Sequence, residues 1–136
     1  MSLQPPDLSE PYSTEADRAG AREALVLYWF AIELLTKLAQ QPADQWSNKQ
    51  ANVFPSSVPG GPPEPPQQRL ARWANLYSDE IRITGDIRNR LVHGGLVADS
   101  ELRGAIYLAR NVIATAMGVL PSQAESAART VLALAS

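Results

Sequence analysis

The sequence predicts an all-α protein, an antiparallel bundle of four to five helices. Three observations carry this expectation. Apolar residues recur at three- and four-residue steps over long stretches. No stretch alternates with the two-residue period of a half-buried strand. The one long interruption is rich in proline, which divides helices from one another.

Composition sets the outer limits. A length of 136 residues suits one domain with a real core. The formal net charge of −2 argues against general nucleic-acid binding by charge alone. Cysteine is absent, which excludes a disulfide scaffold, a thiolate nucleophile and a thiolate zinc site, and fits a reducing compartment. The longest apolar run, Leu25 to Ile32, is too short to span a bilayer. The stretch Met1-Ser2-Leu3-Gln4-Pro5-Pro6-Asp7 has neither a positive region nor an apolar signal core. A cytoplasmic chain without membrane attachment is therefore expected.

Residues 1–12, rich in proline, serine and acid, are expected to form a flexible lead-in to a single helical domain over residues 13–136. The first helix begins at Ser13 or Thr14 as N-cap and ends near Gln40, with Glu15 and Asp17 at its positive end. Its segment Leu25-Val26-Leu27-Tyr28-Trp29-Phe30-Ala31-Ile32 is apolar nearly all round. Such a helix is covered on more than one side, as the centre of a bundle or at a subunit interface. Residues 41–66 hold seven prolines and the pair Gly60-Gly61, so a long loop insertion is expected. Within it a short helix fits Ala43 to Asn52, with Trp46 turned inward. A proline-rich recognition ligand is the functional alternative for this segment.

A second long helix is expected from Gln67 to Val92, with Leu70, Trp73, Ala74, Tyr77, Ile81, Thr84 and Leu91 on its apolar stripe. Gly85 allows close backbone approach. Gly94-Gly95 ends the helix. A third runs from Asp99 or Ser100 as N-cap to about Gly118, with Leu102, Ala105, Ile106, Ala109, Val112, Ile113 and Ala116 on one face. A last helix opens at Pro121-Ser122, where Ser122-Gln123-Ala124-Glu125 fits a capping box.

The chemistry concentrates in Asp86-Ile87-Arg88-Asn89-Arg90-Leu91-Val92-His93-Gly94-Gly95, which holds the only histidine. Any reaction needing an imidazole near neutral pH must use His93. Arg88 lies four residues after Thr84 and three before Leu91, so it falls on the apolar stripe. An arginine there must be paired, reach water along its stem, or face an anion. Its planar fork suits phosphate, and Asn89 beside it can both donate and accept hydrogen bonds. In a regular helix Arg88 and His93 would stand roughly 140° apart around the axis. Unwinding at the glycines could turn His93 back, or out toward another subunit. Arginine to stabilise charge on phosphorus and histidine to move protons together suit phosphodiester chemistry without a metal or cofactor. No metal-ligand cluster is evident. From Arg69 to Arg110 there are seven arginines against five acids, which is compatible with an RNA-binding face. The plain alternative is structural: His93 as a helix cap, and Arg88 salt-bridged to Glu80, Asp86 or a neighbouring helix.

The stretch Arg88-Asn89-Arg90-Leu91-Val92-His93, closing an amphipathic helix in an all-α chain, resembles the motif of HEPN domains. Gly94-Gly95-Leu96-Val97-Ala98-Asp99, leading into another helix, continues the likeness, which covers roughly residues 15–120. The resemblance implies a homodimer whose two Arg/His motifs meet at the interface. It also implies metal-independent endoribonuclease activity that leaves a 2',3'-cyclic phosphate. Arg88 would stabilise the phosphate, His93 would act as general acid or base, and Asn89 would orient the site. Arg82 and Arg90 are RNA contacts expected from charge alone. Many members are toxins or phage-defence effectors with a cognate antitoxin. That branch often carries a tyrosine two residues after the histidine, where this chain has Gly95. The competing expectations are a non-catalytic module of the same fold that binds RNA, a nucleotide or a protein, and a purely structural interaction module.

Overall fold

A computed structural model describes residues 8–54 and 62–135. Among them are six α-helices and no strand: α1 (Glu15–Gln40), α2 (Asn48–Val53), α3 (Pro66–Leu76), α4 (Ser78–Val92), α5 (Asp99–Met117) and α6 (Ala124–Leu132). Short 3-10 turns at Ala43–Gln45, Pro121–Gln123 and Ala133–Ala135 accompany them. The architecture is a helical bundle. No single helix among the described residues is long and apolar enough to cross a membrane.

The bundle is arranged around α1. Thr14 caps it, its hydroxyl accepting from the Asp17 amide at 3.0 Å. The near-continuous apolar segment of α1 is covered by α3, α4, α5 and α6, as a central helix requires. Leu25, Ile32 and Leu35 are fully buried. The larger core cluster joins Tyr28, Ile32, Leu35 and Leu38 to Leu70 and Trp73 of α3, Val112 and Ile113 of α5, and Val131 of α6. The Trp73 indole N–H donates to the Val112 carbonyl at 3.0 Å, so the buried ring leaves no donor unmet.

A smaller cluster lies under the end of α4. Leu25, Leu102 and Ala105 form it, with Ile87, Leu91, Val97 and Tyr12 packed against it. Ile87 and Leu91 flank Arg88 and seat that end of the helix.

Four expected boundaries shift. The long helix over Gln67 to Val92 is two helices, broken at Tyr77 (φ −107°, ψ 21°). Neither proline nor glycine stands there. The break lets α3 pack on α1 while α4 packs on both α1 and α5. The short helix after α1 divides into the 3-10 turn Ala43–Gln45 and α2. Trp46, between them, donates to the Leu38 carbonyl at 3.3 Å and packs on the ring of Phe54. At α5 the N-cap is Ala98, and Asp99 is the first helical residue, because its carboxylate is engaged elsewhere. The Ser122 capping box does not form. The chain turns as a 3-10 helix there, and the Gln123 side chain accepts from the Leu120 amide at 3.0 Å. Within the proline-rich insertion, residues 55–61 lie outside the described residues, including Pro55, Pro59 and Gly60-Gly61.

Of the expected lead-in, residues 1–7 also lie outside the described residues, but Glu10 and Tyr12 are held in place. Arg18 grips Asp99 with a two-pronged bond, Nε to Oδ1 at 2.7 Å and Nη2 to Oδ2 at 2.9 Å. The Tyr12 amide donates to Asp99 Oδ2 at 3.0 Å. Arg103 donates to the Glu10 carbonyl at 2.6 Å and stacks 4.1 Å above the Tyr12 ring. This clasp joins the start of α1 to the start of α5. Bonds from Arg18 and the Tyr12 amide hold the Asp99 carboxyl at a pKa of about 2. A depressed carboxyl pKa contributes stability above its unfolded value, near 3.9, and the contribution is lost as pH falls through the folded value. Asp99→Asn is therefore expected to lower the urea midpoint at pH 7. The gap to the parent protein should close as pH falls from about 4 toward 2, read by urea unfolding across that range.

Candidate functional site

The site is built at the C-terminal end of α4. The helix is regular to Val92, and His93 is its C-cap (φ −96°, ψ 15°), with its amide donating to the Asn89 carbonyl at 3.0 Å. Gly94 then takes φ +77°, the left-handed conformation that turns the chain out of the helix. The Gly95 amide bonds back to the Arg90 carbonyl at 2.7 Å. Unwinding thus begins at His93 and not before it. Within one chain Arg88 and His93 stay roughly 140° apart around α4.

Arg88 is half-buried on the stripe where the sequence puts it. Its Nε is shut off from solvent and has no hydrogen-bond partner among the described residues. Its Nη1 donates to Asn89 Oδ1 at 3.3 Å, and the guanidinium lies 5.7 Å from the centroid of the Phe30 ring. Phe30 is itself 46% exposed. Among the described residues Arg88 joins no ion pair, so the salt bridge to Glu80 or Asp86 does not form. A partly desolvated cation without a counter-ion costs free energy, and such exceptions concentrate where a ligand supplies the missing charge. The His93 side chain is exposed and enters none of the hydrogen bonds among the described residues, which leaves both ring nitrogens available.

The other two arginines have acidic partners. Arg90 turns to the loop beyond His93. It forms an ion pair with Glu101 and donates to the Leu96 carbonyl at 3.4 Å. Glu101 in turn accepts from the Ala98 amide at 3.1 Å. These bonds hold the Glu101 carboxyl below the usual carboxylate range. Arg90 therefore fastens the α4–α5 loop. Arg82 is exposed between Asp79 at 3.9 Å and Asp86 at 3.7 Å, which offset its charge. Of the five residues singled out, the structure brings Arg88 and Asn89 together, leaves the His93 side chain exposed, and gives Arg82 and Arg90 acidic partners.

One feature of this region was not read from the sequence. A groove of about 370 Å³ lies between α1 and α4, lined by Trp29 and Gln40 on one side and by Ser78, Gly85, Asp86 and Asn89 on the other. Its tight point is Gly85, where a Cβ atom would stand 2.5 Å from Cη2 of Trp29. Glycine inside α4 was the available signal; its partner across the groove was not legible.

No family model matches this chain, and neither a curated protein nor a solved structure does.

Since Arg88 has no ion pair to lose among the described residues, Arg88→Met is expected to leave stability unchanged or raise it by up to about 1 kcal/mol. Chemical denaturation of both proteins checks this. A loss well beyond experimental error would make Arg88 a structural residue.

Proposed function

We propose that this chain is a metal-independent endoribonuclease of HEPN type, acting through Arg88 and His93 as a homodimer. The observation that carries the reading is the Arg88 guanidinium: half-buried, beside Asn89, and without an acidic partner among the described residues. A phosphate supplies the charge that the protein withholds. The only imidazole of the chain lies five residues further on, exposed at the helix end.

In this reading the ribose 2'-oxygen attacks phosphorus as its proton passes to an imidazole, and the P–O5' bond breaks as a proton is delivered to the leaving O5'. The products are a 2',3'-cyclic phosphate and a 5'-hydroxyl. Arg88 stabilises the charge that builds on the non-bridging oxygens. Asn89 accepts from Arg88 and fixes the direction of its fork. Roughly 140° of helix separates Arg88 from His93 in one chain. A second copy that brings its own motif alongside therefore completes the proton-transfer machinery. The substrate class is cytoplasmic RNA. A role as toxin or phage-defence effector with a cognate antitoxin follows from the family resemblance alone. Gly95 offers no hydroxyl for an antitoxin to modify.

A second reading is a non-catalytic module that binds RNA, a nucleotide or a protein. The acidic partners of Arg82 and Arg90, together with the net charge of −2, favour it by reducing the cations free for phosphate.

Incubation with RNA in a chelator separates the two. The nuclease reading expects cleavage with cyclic-phosphate ends and a loss of about 10²- to 10⁴-fold in His93→Ala. Cleavage by Arg88→Ala, His93→Ala at the parent rate would refute it.

A further inference from the structure

We propose that the α1–α4 groove is a nucleobase subsite that gives the protein its preference among RNA sequences. The inference rests on the reading of this chain as an RNA-cleaving protein and assigns the part of the substrate that Arg88 does not hold.

The groove adjoins the phosphate-binding arginine through Asn89, which lines the groove and accepts from Arg88 Nη1 at 3.3 Å. From Asn89 it follows α4 back through Asp86, Gly85 and Arg82 to Ser78. These positions recur at three- and four-residue steps along one side of the helix and span about 16 Å of its axis. A strand anchored at Arg88 by one phosphate thus has a continuous path for a neighbouring base.

Charge decides which part of a nucleotide fits. Arg82 and Asp86 both line the groove and lie 3.7 Å apart, so their charges offset each other. A neutral groove does not hold a phosphate. It suits an uncharged, flat group with hydrogen-bonding edges. Trp29 supplies aromatic surface, and base–aromatic contact is the common means of holding single-stranded nucleic acid. Gln40 and Asn89 carry amides that donate and accept, and Ser78 carries a hydroxyl. Sequence-specific recognition of RNA targets unstacked bases through such contacts. Asp86 adds direction. A carboxylate only accepts. Where it meets the amine-bearing edge it therefore favours the N6 amine of adenine or the N4 amine of cytosine over the O4 of uracil, an acceptor at the same place, and leaves uracil only its N3–H to donate.

Gly85 is the gate. An alanine Cβ at this position would meet Cη2 of Trp29 at 2.5 Å and Cζ2 at 3.0 Å, and the indole must move. The groove then changes shape while Arg88 and His93 keep their places on α4.

The test uses the whole 136-residue chain carrying His93→Ala, so that RNA survives, and labelled hexamers of adenylate, cytidylate and uridylate read by fluorescence anisotropy. The adenylate and cytidylate hexamers are expected to bind more tightly than the uridylate hexamer. Added Gly85→Ala should weaken the tighter pair about tenfold, the worth of one base–aromatic contact. Added Asp86→Asn should narrow the gap between cytidylate and uridylate. Ser78→Tyr, at an exposed position in the groove, is expected to weaken binding as Gly85→Ala does and serves if that variant fails to fold. Binding that is absent, or indifferent to both groove substitutions, overturns the proposal. A cytidylate–uridylate gap unchanged by Asp86→Asn overturns its account of specificity. If the hexamers bind as expected while the parent protein cleaves no RNA, the nuclease reading fails and the base subsite stands.

Discussion

Everything in this molecule depends on the covering of α1. A helix with Leu25, Tyr28, Ile32, Leu35 and Leu38 buried cannot rest on a single neighbour. Each fully buried leucine stabilises the fold by about 2 kcal/mol only if apolar partners close over it. Four other helices do so, and their placement follows from that demand. The same demand accounts for the break at Tyr77. One straight helix from Pro66 to Val92 would follow a single line across α1. Two helices let Leu70 and Trp73 join the larger cluster while Ile87 and Leu91 close the smaller one.

The smaller cluster explains why the end of α4 can hold an uncompensated charge. Ile87 and Leu91 anchor the helix on either side of Arg88. Beyond His93, the Arg90–Glu101 pair and the bond to the Leu96 carbonyl hold the turn. Arg18 and the Tyr12 amide then hold Asp99 at the start of α5. The arginines around the motif thus divide by work. Arg18 and Arg90 spend their hydrogen bonds on the protein itself. Among the described residues Arg88 has Asn89 and a phenyl ring but no acid. Its exposed neighbours Phe30 and His93 lie where a ligand or a second copy can reach them.

A cationic surface and a charge-balanced groove are built differently, and both occur here. Arg88 keeps a net positive charge, whereas in the groove the charges of Arg82 and Asp86 offset each other. Asn89 belongs to both. This residue sits where the two surfaces meet, and its amide donates and accepts without carrying charge.

The sequence by itself determined the fold class, the central place of α1, the stop at Gly94 and the position of Arg88 on an apolar stripe. These are consequences of periodicity, of glycine's access to positive φ, and of residue type, which act within a few neighbouring residues. Tertiary structure alone decided the partners. That Arg90 meets Glu101, that Arg18 meets Asp99 across 81 residues, and that Trp29 presses on Gly85 depend on which helices lie together. Arg82, Arg88 and Arg90 look alike in the sequence. They differ because, among the described residues, acids approach two of them in space and none approaches the third.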